Sequence, residues 1–276
     1  MPLTKLQYKP GINRDVTSYT NEGGWVDSDK VRFRFGFPEK IGGWVKFSTN
    51  AYLGSARSLF SWVALDSSKF LSVGTSVKYY ILEGNTFEDI TPIRKTTTGS
   101  ATFSVADGFT VATVTDNTHG AVAGDFVTFS DAASLGGNVT AAVLNQEFEI
   151  QTVPTVNTYT INISATGNSS DSGNGGGSTV AKYQIDCGLD TQVGGTGWGA
   201  GTWGRSTWGS AADVTTENEL ALWSEDNFGE DLLLNLRDSA IYYWDKSGGV
   251  AARAVNLTSL AGASDTPTIS KQVMVS

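Results

Sequence analysis

Three features of the chain predict an all-β fold. It holds 32 glycines against only 6 prolines, and Trp, Tyr and Phe together make up 11% of its 276 residues. Runs of four to eight residues rich in aromatic and β-branched side chains follow one another, separated by short glycine or polar turns. The length suits one large β domain or two smaller ones.

Residues 1–22 are polar and turn-rich, with Pro10-Gly11 a turn signal, and are expected to form an extended arm. The stretch from Gly23 to Trp44 follows, with a Gly-Gly-Trp at each end. At its centre Val31, Phe33, Phe35 and Phe37 alternate with Lys30, Arg32, Arg34 and Gly36. That period of two predicts a strand with an aromatic buried face and a basic outer row. Pro38 cannot donate to a ladder, so it either ends this strand or puts it at a sheet edge.

Four strands are predicted next, over Ala56–Val63, Lys69–Thr75, Val77–Leu82 and Thr86–Ile90, joined by tight turns. Four short consecutive strands read as one propeller-type blade. A second copy lies downstream in the same order: a Trp strand at Ala221–Ser224, an apolar strand at Glu230–Asn235 and a Tyr-Tyr strand at Ala240–Trp244. Ser247–Val255 then takes the place of the last hairpin. A third blade is expected to begin at Thr268–Val275, which makes the chain the N-terminal part of a longer polypeptide or one with much left out. Between the copies, residues 98–182 are rich in Thr, Val, Ala and Gly and predict five or six strands, an inserted small β-barrel or sandwich. Gly167–Ser178 is nearly all Gly, Ser and Asn and is expected to be a mobile loop. The predicted organisation is an arm at 1–22, a first blade region at 23–97, an inserted β-domain at 98–186, and at 187–276 a Trp/Gly loop, a second blade and the start of a third.

Charge divides along the chain. Residues 1–95 carry 13 Lys+Arg against 9 Asp+Glu, whereas 96–186 carry 1 against 8 and 187–276 carry 5 against 11. The acidic remainder argues against tight wrapping by DNA. Nothing approaches the roughly 18 apolar residues of a membrane span, and Met1–Tyr8 lacks a signal-peptide core. A lone Cys187 can form no internal disulfide and no thiolate cluster, which fits folding in a reducing cytoplasm or maturation that needs no oxidation.

Candidate chemistry is sparse. His119, the one histidine, sits in a turn ahead of a strand and has no second histidine or cysteine to work with. Cys187 reads as a buried structural thiol. The carboxylate pairs Asp27/Asp29, Glu88/Asp89 and Glu230/Asp231 do not meet the calcium-loop pattern: counting from Asp27 puts Arg32 at the turn position and Pro38 at the closing one. Paired carboxylates for glycosidase chemistry stay open. Gly194–Gly197 lacks the Lys-Ser/Thr and helix of a phosphate loop. No cofactor or metal is expected. Two features suit an interface. The row Lys30, Arg32, Arg34 reads as a solvated face, a contact for an acidic neighbouring subunit, or a contact for DNA phosphate. Trp198, Trp203 and Trp208, each followed by Gly, either plug apolar gaps or present an aromatic surface to a partner subunit or a sugar.

Pro10-Gly11-Ile12-Asn13-Arg14-Asp15, the Gly23–Trp44 stretch, the Gly-Trp repeats and Trp223-Ser224-Glu225-Asp226-Asn227-Phe228-Gly229-Glu230-Asp231 resemble structural proteins of tailed bacteriophages. The segment from His119 to Phe129 is similar to small β-domains of phage tail proteins. The resemblance is nearest to the tail nozzle, or packaged-DNA stabilisation, proteins of short-tailed phages. It implies a non-enzymatic propeller subunit in a ring of six below the portal and adaptor, in the virion, in transient contact with packaged DNA. The alternative is a receptor- or polysaccharide-binding tail protein using the tryptophan loop as a sugar platform.

Overall fold

A computed structural model describes residues 9–17, 19–43, 45–188 and 222–275. The chain divides into two compact units, 1–47 and 48–276.

In the first unit, residues 9–25 fold back on themselves and do not form the expected extended arm. Lys9 N donates to Gly23 O at 2.8 Å, and Ile12 bridges Trp25. Buried Asn21 donates from Nδ2 to Asn13 O at 3.2 Å. Gly24 lies so close that a Cβ there would fall 2.0 Å from Asn21 Oδ1. The single strand expected through Phe37 is instead a hairpin of β1 (Val31–Arg34) and β2 (Phe37–Lys40). The reason is Phe35-Gly36, whose φ values of 50° and 85° reverse the chain. Phe33 is half-buried and meets Trp25 edge-on at 6.1 Å. Phe35 and Phe37 are 89% and 75% exposed, so the buried aromatic face ends at Phe33. Pro38 sits on β2, an edge strand of this two-stranded sheet.

The second unit is all-β, with a four-stranded sheet on either side, in sequence, of an inserted seven-stranded one. The first sheet is an antiparallel meander of β3 (Ala56–Val63), β4 (Lys69–Thr75), β5 (Tyr79–Glu83) and β6 (Thr86–Asp89). Asn50 covers the outer edge of β6: Nδ2 donates to Phe87 O at 3.2 Å and Oδ1 accepts from Phe87 N at 3.0 Å.

The inserted sheet contains β7 (Ile93–Thr98), β8 (Thr102–Val105), β9 (Val111–Thr115), β10 (Phe126–Ser130), β11 (Glu147–Thr155), β12 (Thr158–Asn162) and β13 (Val180–Gln184), with a short helix α1 (Ala141–Leu144) before β11. Its order is β7-β13-β10-β11-β12-β9-β8. The edge strands β7 and β8 are consecutive in sequence, and the four steps from Thr98 to Thr102 span at most ~14 Å. A flat seven-stranded sheet would hold its edges roughly 29 Å apart, so the sheet curls around its core of Phe103, Val114, Phe129, Ile150 and Ile161. The insertion begins at Ile93, five residues earlier than expected, because β7 pairs with β13. Gly167–Ser178 is pinned where a mobile loop was expected. The Asp171 carboxylate accepts from the backbone N–H groups of Gly137, Asn138, Val139 and Asn168 at 2.8–3.2 Å. Desolvation pushes this carboxyl's pKa up, but the four donors outweigh it and hold the group below its ordinary range.

The last sheet is a meander of β14 (Trp223–Phe228), β15 (Asp231–Leu236), β16 (Ile241–Trp244) and β17 (Val255–Asn256). The hairpin expected over Ser247–Val255 shrinks to a 3₁₀ turn at Lys246–Gly248 and the two residues of β17. Asp245 caps that turn by accepting from Ser247 N, and Gly249 leaves it at φ 84°. The third-blade strand expected at Thr268–Val275 does not form. Ser270 makes one bridge to Ser239, and Val273 and Val275 bond to the side chains of Ser224 and Asp226 in place of a backbone ladder. The two meanders share one core: Trp62 stacks on Phe70 at 5.2 Å, and Trp244 meets both edge-on at 6.2 and 5.7 Å. Among the described residues no helix is long and apolar enough to cross a membrane.

Candidate functional site

The sequence-derived interface residues occupy the hairpin of the first unit. Lys30 precedes β1 with φ 56° and lies 3.8 Å from Asp29. Arg32 pairs with its cross-strand neighbour Glu39 at 3.1 Å. The Arg34 guanidinium stands 5.5 Å from the Phe35 ring centre. The register puts Arg32, Arg34, Phe37 and Glu39 on one outward face, so the expected purely basic row is a mixed basic, acidic and aromatic surface. Trp198, Trp203 and Trp208 lie outside the described residues.

The most concentrated chemistry lies where the three sheets of the second unit meet. Lys78, 2% exposed, leads into β5. Its Nζ reaches Asp89 Oδ2 at 2.7 Å and Glu147 Oε2 at 2.6 Å, and stands 4.4 Å from the centre of the Phe126 ring. Arg253, beside β17, contacts Asp89 Oδ1 at 2.8 Å and Glu147 Oε1 at 3.7 Å. Gln184 on β13 donates to Glu147, and Asp89 Oδ1 accepts from Thr91 Oγ1 at 2.6 Å. Two cations meet two carboxylates, so the cluster is neutral, and each charge has several partners. That is the condition under which buried ions stop being a net cost. Burial pushes Asp89 up, but Lys78, Arg253 and the hydroxyl of Thr91 more than reverse it and leave its pKa lowered. One charge comes from the residue ahead of the first meander's β5, one from its β6, one from β11 of the insertion and one from the loop before β17 of the second meander, so the cluster ties all three sheets together. Sequence reasoning missed it. The available signal was Lys78 itself, a lysine beside the apolar Tyr79–Leu82 run.

The isolated candidates have structural roles. His119 is buried: Nδ1 accepts from Ala121 N at 3.1 Å, and the ring meets Tyr159 edge-on at 4.8 Å and lies parallel to Tyr183 at 6.2 Å. Desolvation lowers its pKa, which keeps the imidazole neutral near pH 7. Next to it, Asp116 accepts from Thr97, Ser100 and Tyr183. Buried Cys187 donates to Ile185 O at 3.8 Å, and burial with nearby carboxylates raises its thiol pKa far from the reactive range. Of the carboxylate pairs, Asp27 is engaged by Arg14 at 2.5 Å, Glu230 by Lys246 at 3.2 Å and Asp231 by Tyr243. Lys246 also binds Asp66 at 2.8 Å and draws it down to about 2. Among the described residues no group of three or more His, Cys, Asp or Glu is arranged to hold a metal ion. An open depression of about 520 Å³ lies against Phe228–Asp231 and Asp245–Ser247.

No protein-family model matches the chain, and no curated protein matches it. Among solved structures it is similar to the endosialidase of phage phi92, with a TM-score of 0.28 and 14% identity, over 80% of this chain and 32% of that one. The chain spans just under a third of that protein's length. Fold and site together define an all-β protein in which two four-stranded meanders and a curled insertion are held by one charged junction.

Proposed function

We propose that the chain is a non-enzymatic structural subunit of a short-tailed phage tail, a nozzle-type protein that forms a ring, retains packaged DNA and conducts it during ejection. The observation that carries this reading is the mutual locking of the two meanders through Trp62 and Trp223. Trp62 Nε1 donates to Glu230 O at 3.1 Å, and Trp223 Nε1 donates to Thr75 O at 2.7 Å. Blades locked in this way, and tied to the insertion by a neutral ion cluster, give a stiff body suited to transmitting load in a tube wall. The repeated Trp-strand order and the Gly23–Trp44 stretch support the family assignment. The acidic residues have a physical use in a channel, because a negative wall lets DNA slide without sticking.

The test is electron microscopy of purified virions labelled against this chain. A ring of label below the portal supports the nozzle and fixes its copy number. Label on peripheral fibres supports receptor or polysaccharide binding instead. Unlabelled virions overturn the tail assignment.

A further inference from the structure

We propose that the β1–β2 hairpin is a docking element for a second copy of this chain, seating its Phe35–Phe37 tip and its Arg34 face on the acidic 48–276 unit of that neighbour. Among the first unit's described residues (9–17, 19–43 and 45–47) no apolar side chain is buried; Asn21 alone is. Val31 and Phe33 are half-buried, while Phe35, Phe37 and Val45 are 89%, 75% and 90% exposed. A segment of this size normally needs a core, a staple or an associated surface to hold its shape. A two-stranded hairpin is marginal by itself, and among the described residues no third strand pairs with either of its edges. An exposed aromatic tip beside an arginine is the composition of an interface anchor, since aromatics and arginine dominate binding hot spots.

Charge selects the occupant. Residues 1–47 carry 8 Lys+Arg against 5 Asp+Glu, net +3, whereas 48–276 carry 11 against 23, net −12. The net negative charge of 48–276 favours the basic first unit of another copy, and a contact between these two unlike units would be head-to-tail. Head-to-tail contacts close into rings or run on as filaments. The inference rests on the ring-forming reading above for its partner, and adds which surface makes the contact.

The experiment is light scattering of the full chain from about 1 to about 100 µM, at about 50 and 500 mM salt. The wild type is expected to self-associate, and to do so more weakly at high salt. The Phe35→Ser/Phe37→Ser variant is expected to associate at least about tenfold more weakly with an unchanged far-ultraviolet circular dichroism spectrum, because neither side chain is buried. Arg34→Glu is expected to weaken association and to flatten its salt dependence. A wild type that stays monomeric throughout overturns the inference, as does a double variant that associates as tightly as wild type. In the second case self-association survives and only the hairpin is excluded. The ring itself is judged separately, by the virion labelling.

Discussion

Trp62 and Trp223, the tryptophans of the first strand in each meander, donate their indole N–H groups in opposite directions: Trp62 to the carbonyl of Glu230 and Trp223 to the carbonyl of Thr75. Each ring is also buried, Trp62 against Phe70 and Trp223 edge-on to Tyr79 at 4.7 Å. Gly74 makes the second seat possible, since a Cβ there would fall 2.5 Å from Trp223 Cδ1. Trp223→Phe keeps most of the apolar contact and leaves the Thr75 carbonyl unpaired, which is expected to cost about 1–3 kcal/mol. Trp223→Ala also opens a cavity and is expected to cost about 3–5 kcal/mol. Urea unfolding of both variants checks the ranking. No loss in Trp223→Phe would show that the hydrogen bond contributes nothing, and equal losses in the two variants would show that the ring's packing adds nothing to it.

The Lys78 cluster predicts a second outcome. Lys78→Met leaves Asp89 and Glu147 facing each other with only Arg253 between them, and removing one partner of a buried ion pair typically costs about 3–5 kcal/mol. The folded-state pKa of Asp89 is depressed, so its contribution is present above its unfolded value of about 4 and is lost as pH falls below it. Wild-type stability should therefore fall on acidification below about pH 4, and Asp89→Asn should remove part of that slope. Denaturant midpoints at neutral pH and along the acid limb give the comparison.

The strands of both meanders were legible because their periodicity and turns are local: Ala56–Val63 and Lys69–Thr75 form over the expected residues. The parts that were not legible depend on partners distant in sequence. β7 was hidden because Ile93–Thr98 alternates exposed and half-buried residues and is specified by β13, more than 80 residues away. The glycine-rich loop looked mobile because its order comes from one side chain, Asp171, reaching the backbone of residues 137–139. In the Gly23–Trp44 stretch the alternation holds over Val31–Arg34 only, because Phe35-Gly36 turns the chain and the return strand puts Phe37 on the face of Arg32 and Arg34. The Lys78 junction was not legible because it needs three sheets to exist.

Asp125 gives a prediction of opposite sign to Asp89. It is buried beside β10, and its carboxylate accepts from Val122 N at 3.0 Å. Arg94 is 3.8 Å away and half-exposed. Burial, only partly offset by the Val122 bond, raises its pKa to about 6. The folded state therefore binds this proton more tightly than the unfolded state does, and stability is lost as pH rises from about 4 through about 6. Asp125→Asn keeps an oxygen for Val122 and removes the charge. It is expected to raise the denaturant midpoint at pH 8, by on the order of 1 kcal/mol after solvent screening, and to change little near pH 4. Loss of stability at pH 8 would mean that the Arg94 contact outweighs the burial cost.

Asp171 tests whether the inserted sheet is closed by its loop. Its two oxygens accept four backbone N–H groups, and Gly173 and Gly175 pack so closely that a Cβ would fall 2.8 Å from Leu135 O and 2.5 Å from Phe103 Cδ2. Asp171→Ala removes the acceptor and leaves the amides of Gly137, Asn138 and Val139 without it. Hydrogen exchange is expected to speed up at those three amides and through 167–178, and proteolysis should begin in the same loop, while β14–β16 keep their protection. Asp171→Asn retains one acceptor oxygen and should fall between the two. Unchanged exchange in Asp171→Ala would show that glycine packing alone holds the loop. Faster exchange spreading to β9 and β12 would show that the loop is a cooperative part of the inserted core.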